Sequence, residues 1–181
     1  MKNLKVLILL ISVLFIFGQM RVYSQSIGLD TSFNQIGIKR LVLERGFDKA
    51  NMILQQPDGK LMVVGIANVG IEVNIALSRL LPNGSNDMSY GKNGLILSGV
   101  LGGNNFSLGL SAALQPDGKI LVCGAASNDD KTYHFMVARY DQNGALDNSF
   151  NGSGFNVIKM GSKSYANAIE IAPDGTIIIA G

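Results

Sequence analysis

The chain has 181 residues, with 15 Lys and Arg against 13 Asp and Glu, 47% apolar residues, one cysteine and one histidine. That is enough to bury a real core, while one cysteine excludes an internal disulfide and one histidine leaves no second imidazole for a zinc site. Lys2, Lys5 and Arg21 fall in an N-terminal segment read below as removable, so the remaining balance is 12 − 13 = −1, and with no basic stripe a nucleic-acid partner is not expected.

In chain order the first element is a targeting segment. Lys2 and Lys5 precede the uncharged apolar run Val6–Phe17, and Val22-Tyr23-Ser24 offers residues that a signal peptidase reads. Residues 1–24 are expected to be a secretory signal peptide cut before Gln25, giving a secreted or cell-surface protein with no transmembrane span after cleavage. An uncleaved anchor is the alternative. The apolar run is short of the ~20 residues that span a bilayer.

From there the chain repeats. "LQQPDGKLMVVG" (Leu54–Gly65) returns as "LQPDGKILVCG" (Leu114–Gly124) and "IAPDGTIIIAG" (Ile171–Gly181). In each phrase a Pro-Asp-Gly stands between apolar runs. Pro57 pre-sets φ, Asp58 tolerates the bridge region and can bond its own backbone, and Gly59 takes the left-handed conformation. A three-residue hairpin loop is therefore predicted at Pro57-Asp58-Gly59, at Pro116-Asp117-Gly118 and at Pro173-Asp174-Gly175. These nine residues are structural turn positions. No catalytic, cofactor-binding or metal-binding residues are assigned.

Other features keep step with the turns. "LDTSF" (Leu29–Phe33), "NDMSY" (Asn86–Tyr90) and "LDNSF" (Leu146–Phe150) recur, and Arg79 is matched by Arg139. The repeat divides the chain into 25–85, 86–145 and a shorter third unit, 146–181. Strands are expected at Gly37–Leu43, Ala50–Gln56, Lys60–Ala67 and Asn74–Leu81 in the first unit. The second offers Gly94–Leu101, Ser111–Gln115, Lys119–Ala126 and His134–Asp141, and the third Gly154–Met160, Ala166–Ala172 and Thr176–Gly181. No sustained helical period appears after the signal segment, so the class is all-β. Four antiparallel strands per unit make the blades of a β-propeller, with a sandwich or β-solenoid as the competing architectures. Two units and a truncated third would leave open edges. A fragment of a longer reading frame is expected, with ring completion by oligomerisation as the alternative.

The combination of "LDxSF", a Gly-led strand, "LQPDGKILVxG" and an "ALxRYxxNG" element resembles the delta-60 repeat of bacterial surface and secreted proteins. The resemblance covers nearly all of the chain after residue 28, with Asn86, Tyr90 and Thr176 departing from the pattern. It implies a propeller-type scaffold and brings no catalytic set.

Repetition also sorts the polar residues. Asp30, Asp87 and Asp147 recur at one phase, each two residues before a Ser, and read as turn-closing side chains. Residues found in only one unit are the better candidates for function. They are His134, the Asn128-Asp129-Asp130-Lys131 loop and the Glu44–Lys49 loop. Asp129 and Asp130 lack the ligand alternation of a calcium loop, "GVLGGNN" (Gly99–Asn105) lacks phosphate-loop spacing, and Cys123 stands where the other repeats have Val64 and Ala180, a small apolar position. The expected function is a noncatalytic extracellular repeat scaffold that presents loops to a glycan, a peptide or a surface component. The alternative is part of an exported propeller hydrolase whose active site lies outside these residues.

Overall fold

The computed structural model describes residues 28–41, 43, 47–101, 106–129 and 131–181. Residues 1–27, on which the expected signal peptide falls, residue 42, residues 44–46 of the first singleton loop, residues 102–105 and Asp130 lie outside them. The described residues contain ten β-strands and no helix. The fold is an all-β propeller arrangement of antiparallel blades.

The first blade is the meander β1 (Lys49–Gln55), β2 (Leu61–Val69), β3 (Glu72–Leu80) and β4 (Leu95–Ser98), paired in that order. The second is β5 (Phe106–Leu114), β6 (Ile120–Ser127), β7 (His134–Tyr140) and β8 (Phe155–Ile158), again a simple antiparallel series. A third begins with the hairpin β9 (Ala168–Ile171) and β10 (Ile177–Ala180). Sheet and sequence repeat differ in phase by one strand. The strand that opens the unit 86–145 is β4, which closes the sheet of the unit before it.

Two expected elements come out differently. Among the described residues of Gly37–Leu43 none is in a strand. Its equivalents β4 and β8 are held by ladders to β3 and β7 of their own blades, and no described strand stands in that place beside residues 37–43. Conversely, β5 begins at Phe106 rather than Ser111, because its ladder runs on past Gly109 through a bulge between Gly109 and Ser111.

That bulge explains the glycine ending each repeated phrase. β1 carries the same irregularity between Ala50 and Met52. A Cβ added at Gly65 would collide with the Lys49 carbonyl, at Gly124 with the Leu108 carbonyl and at Gly181 with the Tyr165 carbonyl. The second strand of each blade therefore ends its motif in glycine to let the first strand's backbone approach.

Alternation along the strands assigns the core. Met62, Val64, Ile75 and Leu77 of the first blade meet Ile120, Val122, Met136 and Ala138 of the second in one buried cluster. The other face of the second blade, Leu121, Cys123, Phe135 and Val137, packs on Ala166 and Ile169 with Ile177 and Ile179 alongside. β6 is consequently buried at every position, whereas β2 alternates and β10 alternates with exposed residues. Cys123 is fully buried, its thiol donating to the Ala166 carbonyl at 3.3 Å.

Candidate functional site

The two ends of the strands form two different faces. One carries the β1–β2, β5–β6 and β9–β10 turns and the long β3–β4 and β7–β8 connections. In all three Pro-Asp-Gly turns the glycine has positive φ (81°, 81° and 87°). Its N–H donates back across the loop, from Gly59 to Gln56, Gly118 to Gln115 and Gly175 to Ala172, each at 2.9 Å. Asp58, Asp117 and Asp174 accept from the backbone N–H two residues on, at 3.1, 3.1 and 2.9 Å.

The "DxSF/Y" motif builds a latch on this face. Arg79 Nε donates to Asp87 Oδ2 at 2.8 Å, and the backbone N–H and hydroxyl of Ser89 donate to Asp87 Oδ1 at 3.1 and 2.6 Å. The guanidinium lies 4.3 Å from the Tyr90 ring centroid. The second copy repeats every part: Arg139 to Asp147 at 2.8 Å, Ser149 to Asp147, and Arg139 4.8 Å from the Phe150 centroid. Lys60 and Lys119 add ion pairs to Asp87 and Asp147 at 3.5 and 3.1 Å. The Ser89 hydrogen bonds and neighbouring Arg79 hold the buried Asp87 carboxyl down at about 2, and in the second copy Ser149, with Lys119 and Arg139, lowers Asp147 further still.

The latch crosses between blades. Arg79 also donates to the Gln142 carbonyl at 2.9 Å, and Gln142 donates on to the Asp117 carbonyl at 2.7 Å. The motif's aromatic packs under the Asn-Gly turn of the blade that follows it in the chain, Phe33 against Gly84 and Tyr90 against Gly144, each glycine with positive φ and no room for a Cβ. The Arg, Asp, Ser and aromatic of the latch recur one repeat away, whereas Gln142 stands where the preceding unit has Pro82; together they hold the blades in register.

The opposite face is where the repeats diverge. From Lys60 to Arg79 is 19 positions and from Lys119 to Arg139 is 20, a single-residue insertion. In the first blade β2 and β3 meet through the two-residue turn Gly70-Ile71, with φ +63° at Gly70, as a tight hairpin of the II′ kind requires. In the second, six residues separate β6 from β7. Asp129 organises that loop. Its Oδ1 accepts from Ser127 Oγ, Lys131 N and Thr132 N at 2.9, 3.0 and 2.9 Å, and Thr132 Oγ1 donates to Oδ2 at 3.2 Å. The backbone donors of Thr132 and Lys131 lead in pulling this carboxyl down to about 2. A carboxylate so occupied shapes a loop.

Behind the loop lies a cavity of about 320 Å³. Leu101, Ala126 and Val157 give it an apolar side, and Ser127, Asn128, Asp129, Thr132, His134 and Lys159 a polar one. The single histidine and the singleton loop, far apart in kind but close in sequence, thus share one concave site. His134 Nδ1 is buried without a hydrogen-bond partner among the described residues, although the residue's backbone pairs with Ala126 in the ladder. Lys159 is exposed and makes no ion pair with any described residue. Lys159 was legible by the same criterion as His134, since the equivalent position in the preceding unit is Gly99.

On the other side of the loop stand aromatic residues. Tyr133 stacks on Tyr165, with centroids 5.4 Å apart and planes at 24°, and meets Phe106 edge-on at 6.5 Å. Tyr133 is fixed at its backbone, donating to the Ser162 carbonyl at 3.2 Å and accepting from Ser164 N at 2.9 Å. All three rings are half-buried.

A second groove of about 390 Å³ runs over one face of the first blade, along Leu61, Val63, Ala76 and Ser78 with Leu41 nearby. In the second blade the corresponding positions, Ile120, Val122, Met136 and Ala138, are filled by the neighbouring blade. The groove thus occupies the positions that serve as a blade-packing face in the second blade. Among the described residues no group of three or more His, Cys, Asp or Glu side chains is placed to hold a metal ion, and no helix is long and apolar enough to cross a membrane.

Residues 56–90 and 115–150 match the family model described as "Domain of unknown function (DUF5122) beta-propeller". The chain is a β-propeller-repeat protein. Each matched segment of this propeller-repeat protein opens at a Pro-Asp-Gly turn and closes at the aromatic of the latch, so the family's pattern spans the residues that hold blade to blade. No curated protein and no solved structure matches the chain.

Proposed function

We propose that this propeller-repeat protein is a noncatalytic scaffold of the delta-60 type, exported from a bacterial cell, which binds an extracellular or surface ligand through its divergent face. The observation that carries this reading is the convergence of repeat-unique residues, His134, Thr132 and Lys159, on one cavity beside one enlarged loop, while on the opposite face the Arg, Asp, Ser and aromatic of the latch recur. A scaffold supplies constancy and its loops supply specificity. A pocket with an apolar side and a few convergent polar groups is the usual form of a small-ligand site. Fold alone carries no activity.

The test uses the full chain on an array printed with soluble bacterial and plant cell-wall oligosaccharides and with defined octapeptides. Retention on at least one class of spot is expected, lost on Lys159→Ala and kept on Asp58→Ala, which alters only the exposed turn face. Equal retention of both variants overturns the reading. Shortened oligosaccharides in the eluate, seen by mass spectrometry, favour the hydrolase alternative.

A further inference from the structure

We infer that two copies of this chain join head to tail into a closed ring, the β9–β10 hairpin of each copy packing on the open sheet of the other's first blade. This contact is separate from the ligand site above. The chain already makes it twice within itself.

Each blade is a sheet with a leading and a trailing side. The trailing side of the first blade, Met62, Val64, Ile75 and Leu77, meets the leading side of the second, Ile120, Val122, Met136 and Ala138. The trailing side of the second, Leu121, Cys123, Phe135 and Val137, meets Ile169, Ile177 and Ile179 of the third. Two sides are left over. Ile53 pairs with Val63 and so shares the leading side of the first blade, in the position that Ala112 and Ile169 hold in the other two. Those two are 2% and 8% exposed, whereas Ile53 is 61% exposed. Ile178, on the trailing side of the third blade, stands in the position of Met62 and Leu121. They are fully buried, whereas Ile178 is 52% exposed. The chain therefore carries, uncovered, both halves of a contact it has formed twice.

Charge matches the two halves. Glu170 pairs with Ile178 across the hairpin and stands where the earlier blades have Leu54 and Ala113. Lys39, on the wall of the 390 Å³ groove, stands where the next unit has Ile96. Neither makes an ion pair with any described residue. Leu54 and Ile96 pack against the same core cluster between the first two blades, so a contact of that geometry brings Glu170 of one copy to Lys39 of the other. An apolar pair inside the chain is replaced by opposite charges on the two uncovered sides, which fixes the partner and the register. Each copy supplies two blades and the opening hairpin of a third. Two copies thus fill six blade places, within the four to eight that close a propeller, and closure at two copies makes the same contact twice about a twofold axis.

Light scattering of the full chain after size-exclusion chromatography, loaded at about 1 to about 100 µM, reads the outcome. A dimer is expected. Ile53→Asp and Ile178→Asp each place a charge on a side chain that is exposed in the single chain and covered in the ring, so each should keep its thermal unfolding midpoint and stay monomeric over that range. Glu170→Lys and Lys39→Glu should each weaken the dimer about tenfold by setting like charges together. The double variant, with the charges exchanged, should recover it, which a merely destabilised fold would not do. A monomer at every concentration overturns the ring. So does an open-ended polymer, or a dimer that survives both aspartate substitutions.

Discussion

The two faces of this protein are made by the same strands and obey different rules. On the turn face, Arg79, Asp87, Ser89 and Tyr90 reappear as Arg139, Asp147, Ser149 and Phe150 with the same Nε–Oδ2 distance of 2.8 Å. On the loop face, Gly70-Ile71 in one blade faces a six-residue loop in the next. The difference teaches where stability and specificity reside. Repeated residues are held to one geometry because each blade must fit both neighbours, while a loop that touches no neighbour's latch is free to change.

Substitutions can break this comparison, and the largest effect belongs to the blade scaffold. Gly124→Ala drives a methyl into the Leu108 carbonyl at the β5 bulge. A loss of about 2–3 kcal/mol in urea unfolding is expected, the scale of an overpacked core, whereas Gly161→Ala, with open space around it, suffers only from its positive φ. Next comes the latch. Asp87→Asn leaves Arg79 and Lys60 without their carboxylate and should cost about 2 kcal/mol, with a smaller loss for Asp58→Ala on the exposed turn.

The latch also gives the protein an acid limit. Asp87 is lowered to about 2 in the fold, so its contribution is present above the unfolded carboxylate range and is lost as pH falls from about 4 toward 2. Asp147, lowered in the same way, adds to the loss over that window. Denaturation midpoints measured from pH 6 to pH 2 should fall steeply only below pH 4, and less steeply in Asp87→Asn. A midpoint that declines evenly from pH 6 would show that the latch carboxylates do not govern acid unfolding.

Smaller again is the behaviour of Cys123. Burial raises its thiol to about 11, so a thiol reagent at pH 8 should label it only at the rate of unfolding. The smallest effect is expected on the loop face, where Lys159→Ala should change stability by no more than ~0.5 kcal/mol. A large loss there would mean that the cavity is part of the scaffold, and the contrast between the faces would fail.

The hairpins were legible because their cause is local. Pro57, Asp58 and Gly59 each contribute a backbone preference that holds wherever the triplet stands, and the same holds at 116–118 and 173–175. The all-β class and the blade pattern followed from strand composition and the period. Gly37–Leu43 shows the limit of such reading, since its residues suit a strand as well as those of β4 do. A strand needs a ladder partner, and partnership is not written in the segment itself. The start of β5 was missed for a related reason, because a bulge lets Gly109 sit inside a strand that composition alone would end there.

Of the candidate site, His134 and the Asn128–Lys131 loop could be picked out by their failure to repeat, and Lys159 by the same comparison with Gly99. By itself the sequence determined the turns, the repeat, the recurrence of the Asp and Arg positions and the list of singletons, all of which depend on short-range chemistry or on counting, whereas the joining of Arg, Asp and aromatic into a latch came from the structure. Only the tertiary structure decided that His134, Thr132 and Lys159 share a cavity, that Tyr133 stacks on Tyr165, and that one strand closes the sheet of the unit before it. Those facts depend on which strand ends the antiparallel meander brings to the same face, and that is a property of pairing between segments distant in the chain.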